Sequence, residues 1–149
     1  MKKTLSEKES LEIIDGCLYG VLSLLDGERP YGVPLSVARD GRMVYFHGRL
    51  TGRKADLIAV GGTAHMVFVG QTQVVPERFT TLYRSVMGEG IVETVLDEEE
   101  RIRGLRLLSE KYVPESMGDF EKEIRSSLHR TAVYRFKLEK IVGKDTIGS

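Results

Sequence analysis

The sequence is poor in the residues that build the commonest special sites. It has one cysteine, Cys17, no tryptophan, four prolines and three histidines in 149 residues. A single cysteine excludes an internal disulfide and any cluster of cysteine metal ligands. His47, His65 and His129 stand far apart, without metal-ligand spacing. The formal net charge is zero, which argues against general nucleic-acid binding, because phosphate backbones are held by a surplus of Lys and Arg. No apolar run approaches a membrane span, and Met1-Lys2-Lys3 is not followed by an apolar signal segment. These absences make a cytoplasmic protein, bound neither to membrane nor to nucleic acid, the economical expectation. No Ser-His-Asp order, Walker loop, zinc spacing or dinucleotide glycine fingerprint is present.

What is present is an ordinary globular composition, 41% hydrophobic and 30% charged, in a length that suits one domain over 1–149 with a real core. Ser6-Glu7-Lys8-Glu9 is a capping box, and Leu11, Ile14 and Leu18 follow at helical spacing, predicting a short helix from Glu7 to Asp15. Tyr19–Leu25 is nearly continuous apolar sequence, as in a strand buried on both faces. From Tyr31 to Arg39 the pattern alternates. Tyr31, Val33, Leu35 and Val37 share one face, while Gly32, Pro34, Ser36 and Ala38 share the other. Pro34 points to edge or interrupted pairing. The small face would admit something flat against the backbone, or simply pack closely on another element. Asp40-Gly41 is a hairpin turn into a strand from Arg42 to His47.

A helix is expected over 53–60 and a strand over 63–69, followed by a loop at 71–79. A long bent strand should cover 82–96, with Gly88 and Gly90 at a bulge or barrel corner. Asp97 caps a helix whose apolar stripe is Ile102, Leu105, Leu108 and Tyr112. The acidic run 97–100 is therefore capping chemistry and a solvated face. A short helix over 118–128 and a last strand from Thr131 to Ile141 complete the chain. Six or seven strands on hairpin-length links predict a mainly β, α+β fold. Its core would be an antiparallel sheet closed into a split barrel, with peripheral helices.

The stretch richest in chemistry is Tyr45-Phe46-His47-Gly48-Arg49-Leu50-Thr51-Gly52-Arg53-Lys54. Arg53 and Lys54 fall in the first helical turn, where the helix dipole disfavours cations, so a bound anion would account for them. Thr51 and Gly52 would offer a hydroxyl and an open amide to the same anion. An exposed basic turn has the same spacing. His47 is either a ligand donor or a loop cap. Thr81, Tyr83 and Ser85 form a polar row on a core-forming strand, facing either a pocket or solvent. Cys17 reads as a buried structural thiol.

Val33-Pro34-Leu35-Ser36, Tyr45-Phe46-His47-Gly48, Gly52-Arg53-Lys54 and Tyr83-Arg84-Ser85-Val86 together resemble the pyridoxamine 5′-phosphate oxidase-like flavoproteins, within them the group related to nitroimidazole-resistance (Nim-type) reductases. The resemblance covers most of the chain. It implies a split barrel that forms a homodimer with FMN in clefts between the subunits. Thr51, Arg53 and Lys54 would hold the FMN phosphate. Pro34, Leu35 and Ser36 would run along the ring, Phe46, His47 and Gly48 would flank it, and Ser85 and Val86 would approach from a neighbouring strand. It further implies an oxidoreductase fed by a small electron donor such as NADH or NADPH and reducing a small acceptor, such as a nitroaromatic, near His47 and Tyr83. No catalytic side chain is assigned. The alternative is a non-enzymatic flavin- or haem-binding or sensing protein on the same barrel. Arg49 departs from the small residue expected of the related reductases. The sequence also has no Trp- and Arg-containing tail, which disfavours vitamin B6 oxidation.

Overall fold

The computed structural model describes residues 3–148; Met1 and Lys2 of the amino-terminal start, and Ser149, lie outside the described residues. The capping box forms as the sequence predicts. The Glu9 amide donates to Ser6 Oγ and the Ser6 amide to Glu9 Oε1, opening helix α1 (Glu7–Gly16). The first strand, β1 (Lys3–Thr4), pairs with the far end of the chain. The remaining strands are β2 (Gly20–Asp26), β3 (Arg29–Leu35), β4 (Ala38–Asp40), β5 (Met43–Arg49), β6 (Thr63–Val75), β7 (Thr80–Thr94) and β8 (Thr131–Asp145). Helix α2 (Arg53–Val60) lies between β5 and β6. Helices α3 (Glu98–Tyr112) and α4 (Phe120–Ser127) lie between β7 and β8.

All pairings are antiparallel, in the order β3-β2-β6-β7-β8-β5-β4, with β1 beside β8. The two ends of this path, β3 and β4, are consecutive in sequence and joined only through Ser36-Val37. The sheet thus curls into the expected split barrel, but hydrogen bonds do not close it. Gly90 sits where the β7–β8 register slips, and a Cβ there would collide with the Lys137 carbonyl.

The barrel interior is filled by Leu22, Val44, Phe46, Met66, Phe68, Val86 and Phe136, all fully buried. A second cluster lies outside the barrel, where α3 and α4 cover β5 and β8 with Tyr45, Leu105, Phe120, Ile124 and Val133. Strand β5 is therefore buried on both faces, Val44 and Phe46 inward and Tyr45 under α3. Each large apolar side chain so buried stabilises the fold by roughly 1.5–3 kcal/mol.

Four expectations need correction. Strand β2 alternates instead of being buried on both faces, and Leu25 is left 67% exposed. The 31–39 run is two strands, because the Val37 backbone bonds to Tyr112 and Lys111 instead of to a strand. The segment 71–75, read as loop, continues β6 beyond a register shift between Val69 and Thr72. A tight turn then leads through Phe79, which has φ +52°. The last strand runs on to Asp145. No helix among the described residues is long and apolar enough to cross a membrane.

Candidate functional site

The chain leaves β5 at Arg49, turns through Leu50-Thr51-Gly52 and enters α2. Gly52 has φ +135°, a conformation that side chains oppose, and this lets the turn close directly into the helix. No side chain caps α2. Lys54 folds back across the end of β5, so that a Cβ at Gly48 would stand 2.6 Å from its ammonium nitrogen. A side chain there would push the flexible end of Lys54 aside. Tyr134 of β8 floors the same place, its ring stacked on Phe46 at 5.2 Å and 3.8 Å from the Cβ position of Gly48.

Lys54 has neither an ion-pair nor a hydrogen-bond partner among the described residues, and burial pushes its pKa below the ordinary lysine value. His47 keeps an exposed surface. Burial of its ring atoms, and then the Lys54 charge, push its pKa below the ordinary histidine value, so it is mainly neutral at pH 7. A half-buried cation without a counter-ion is unfavourable by itself. The arrangement is complementary to an anion.

Arg53 behaves differently. Its guanidinium donates to Asp26 Oδ2 at 2.6 Å and lies 4.8 Å over the Tyr31 ring. The cation that looked misplaced at the helix start already has a carboxylate from the β2–β3 turn. Thr51 is exposed on the loop.

The ledge from β3 to β4 meets this region through topology. Gly32, Pro34 and Ser36 are exposed, while Leu35 and Val37 are buried. The β4–β5 pairs Ala38↔Tyr45 and Arg39↔Val44 would, if continued, set Ser36 opposite His47. Pairing stops at Ala38, and the barrel is split there. Lys111 and Tyr112, at the end of α3, take over the freed backbone. Lys111 Nζ donates to Val37 O at 2.8 Å and Ile14 O at 3.1 Å. The Tyr112 hydroxyl donates to Leu18 O at 2.6 Å and accepts from Val37 N at 3.0 Å. Sequence reasoning assigned Tyr112 only to an apolar stripe. A polar tip on the last stripe residue was the one available signal.

The Tyr83–Ser85 row lies elsewhere. It lines a groove of about 470 Å³ on the outer sheet face with Val67, Val69, Met87 and Lys144. None of the residues 46–54 borders that groove. Phe46, Val86 and Leu35 turn their side chains into the core, so only their backbones can face a ligand. Within one chain the named residues therefore form two surfaces. One holds the ledge, Phe46–Gly48 and Lys54; the other is an apolar groove holding Tyr83 and Ser85.

A family model described as pyridoxamine 5′-phosphate oxidase matches residues 6–145. No curated protein matches the sequence. Among solved structures the chain is similar to a FAD and haem binding protein from Mycobacterium smegmatis, with TM-score 0.84, 19% identity, and coverage of 99% of this chain and 74% of that one. It is similar to a candidate 5-nitroimidazole antibiotic resistance protein from Bacteroides thetaiotaomicron VPI-5482, with TM-score 0.75, 20% identity, and coverage of 97% and 88%. It is also similar to a FAD-binding protein from Mesorhizobium loti, with TM-score 0.74, 18% identity, and coverage of 98% and 99%. At these identities the likeness is one of fold.

Proposed function

Because the chain belongs to the pyridoxamine 5′-phosphate oxidase family, we propose that it binds a flavin through its FMN moiety and acts as an oxidoreductase. The carrying observation is Lys54, a half-buried ammonium over Gly48 with no partner among the described residues. In this reading Lys54 holds the flavin phosphate, with Thr51 and the uncapped start of α2 beside it. The ring lies along the exposed Gly32-Pro34-Ser36 ledge, flanked by the backbone of Phe46 and by His47 and Gly48. Tyr83, Ser85 and the backbone of Val86 belong to a homodimer partner's groove, whose exposed Val69 and Met87 favour burial against a second copy. The flavin-binding descriptions of similarly folded proteins support the choice of cofactor.

A bound flavin supplies the electron or hydride transfer. The chain's residues bind, orient and exclude water. Neutral His47 offers a hydrogen-bonding edge to an acceptor without adding charge to that already on Lys54. The acceptor is a small molecule, a nitroaromatic being the substrate class that fits the family group, and the donor is NADH or NADPH.

A visible spectrum of the purified protein, before and after adding FMN or FAD, tests this reading. Flavin absorbance that stays with the protein supports it, and a colourless protein that leaves both added FMN and added FAD free overturns it. Stopped-flow mixing with NADH or NADPH then separates an enzyme from a flavin- or haem-binding sensor, since a sensor's flavin would not turn over.

A further inference from the structure

A cavity of about 380 Å³ opens beside another face of α2, between that helix, the β7–α3 link and the start of β8. Its size falls within the roughly 300–1,000 Å³ of small-molecule sites. Ala55 and Ala59 give it a flat, small-residue wall, and Asp56 sets a carboxylate at that wall. Leu50 and Leu96 line it while remaining 53% and 85% exposed. Two large apolar side chains left open at one cavity favour an apolar, flat occupant.

The cavity adjoins the cation cradle. Leu50 directly precedes Thr51, and Ala55 directly follows Lys54. Tyr134 belongs to both places, lying 3.8 Å from the Cβ position of Gly48 and lining the cavity. Tyr134 is 2% exposed. Arg49, next to Gly48, is exposed and has no ion-pair partner among the described residues. It adds a second cation without an ion-pair partner among the described residues, at the end of β5 just before the turn that leads to Lys54.

We infer that this cavity is the subsite for the nucleoside half of a dinucleotide flavin, and that the chain takes FAD in preference to FMN. The inference rests on the flavin reading above and extends its site. Two phosphates call for two cations, supplied by Lys54 and Arg49. An adenine ring would lie against the Ala55–Ala59 wall between Leu50 and Leu96. Ribose hydroxyls or the adenine amino group would donate to Asp56.

The test is a fluorescence titration of flavin-stripped protein with FMN and with FAD. FAD should bind at least tenfold more tightly than FMN. Ala59→Trp, which fills the cavity from an exposed helix position, should bring the ratio of affinities close to one, and Asp56→Asn should lower it several-fold. Equal affinities in the wild type, or an unchanged ratio in folded Ala59→Trp, would overturn the inference. If Ala59→Trp does not fold, Asp56→Asn decides, and an unchanged ratio there counts against the subsite. Binding of FMN with no gain from FAD sinks the subsite alone. Failure of both flavins to bind sinks the flavin reading with it.

Discussion

Tyr45 and His47 stand two residues apart on β5 and lead into regions with opposite electrostatics. Around Tyr45 the charged side chains pair with one another, although Arg135 Nε is buried without a partner among the described residues. The Tyr45 hydroxyl donates to Glu100 Oε2 at 2.7 Å and accepts from Arg103 at 3.1 Å. Arg135 donates to Glu100 Oε1 at 2.6 Å and to Glu93 at 3.2 Å. Burial alone would raise the Glu100 pKa, but the hydrogen bonds from Tyr45 and Arg135, with the arginine charges, hold it below the ordinary value. Around His47 the half-buried charge of Lys54 has no answer among the described residues. The first region binds α3 to the barrel; the second has binding capacity left over. Glu100 also corrects the reading of 97–100 as a purely solvated face, since its side chain is 17% exposed and sits at the centre of this network.

The sharpest way to break the comparison is Glu100→Ala. It should leave Arg135 half-buried without its main carboxylate and Tyr45 without an acceptor, costing roughly 3 kcal/mol of stability. Urea denaturation would measure it, and flavin affinity should be nearly unchanged. The pH dependence follows from the same pairing. The folded pKa of Glu100 is depressed, so its contribution is full above the unfolded carboxylate value near ~4.3. It is lost as pH falls through the lower folded value. Glu100→Gln should flatten the acid limb of the stability curve. A stable Glu100→Ala protein that loses flavin instead would erase the distinction between the two regions.

Lys54→Ala is the mirror experiment. Removing one charge-assisted phosphate contact, about 1.5–3 kcal/mol, should weaken flavin binding by more than tenfold. Stability should hold or rise slightly, because an unanswered cation leaves the interior. The Lys54 pKa is lowered by burial in the unliganded chain. Affinity should therefore begin to fall with rising pH below the ordinary lysine value near ~10.4, as the ammonium deprotonates. In Lys54→Arg that decline should disappear. Unchanged affinity in Lys54→Ala would place the phosphate elsewhere.

Most of the fold was legible because its signals are local. The capping box at Ser6, the Asp40-Gly41 turn, the Asp97 cap and the inward set Ala132, Tyr134, Phe136 and Leu138 each depend on neighbours a few residues away. What could not be read is long-range. Nothing near Val37 announces that Tyr112 will bind its amide from 75 positions away. Nothing near Arg53 announces Asp26 across the barrel end. The candidate site was legible as a segment, 45–54, and as residue types, but not in which cations were already paired. That depends on which turn folds against which helix.

Tyr112 tests whether the ledge belongs to structure or to site. Tyr112→Phe keeps the ring but leaves the Val37 amide and the Leu18 carbonyl without their shared partner, costing about 1–2 kcal/mol by thermal or urea denaturation. If Ser36 meets the ring, flavin affinity should fall several-fold as well. A loss of stability with affinity intact would assign the clamp to the fold alone.

Arg53→Ala should produce the smallest effect and sharpen the comparison most. Its sequence position made it an equal of Lys54 at the phosphate, yet it is paired with Asp26 at 2.6 Å, both side chains about half exposed, and it lies over Tyr31. Exposed pairs of this kind contribute about 0–1 kcal/mol. Arg53→Ala alone should change both stability and flavin affinity by only a few-fold, and adding it to Lys54→Ala should deepen the loss little. A loss in Arg53→Ala as large as in Lys54→Ala would mean that the Asp26 pair opens when flavin binds. Asp26→Asn would then raise affinity by releasing the guanidinium. An unaltered Asp26→Asn keeps Arg53 with the β2–β3 turn, and leaves Lys54 as the loop's principal phosphate ligand.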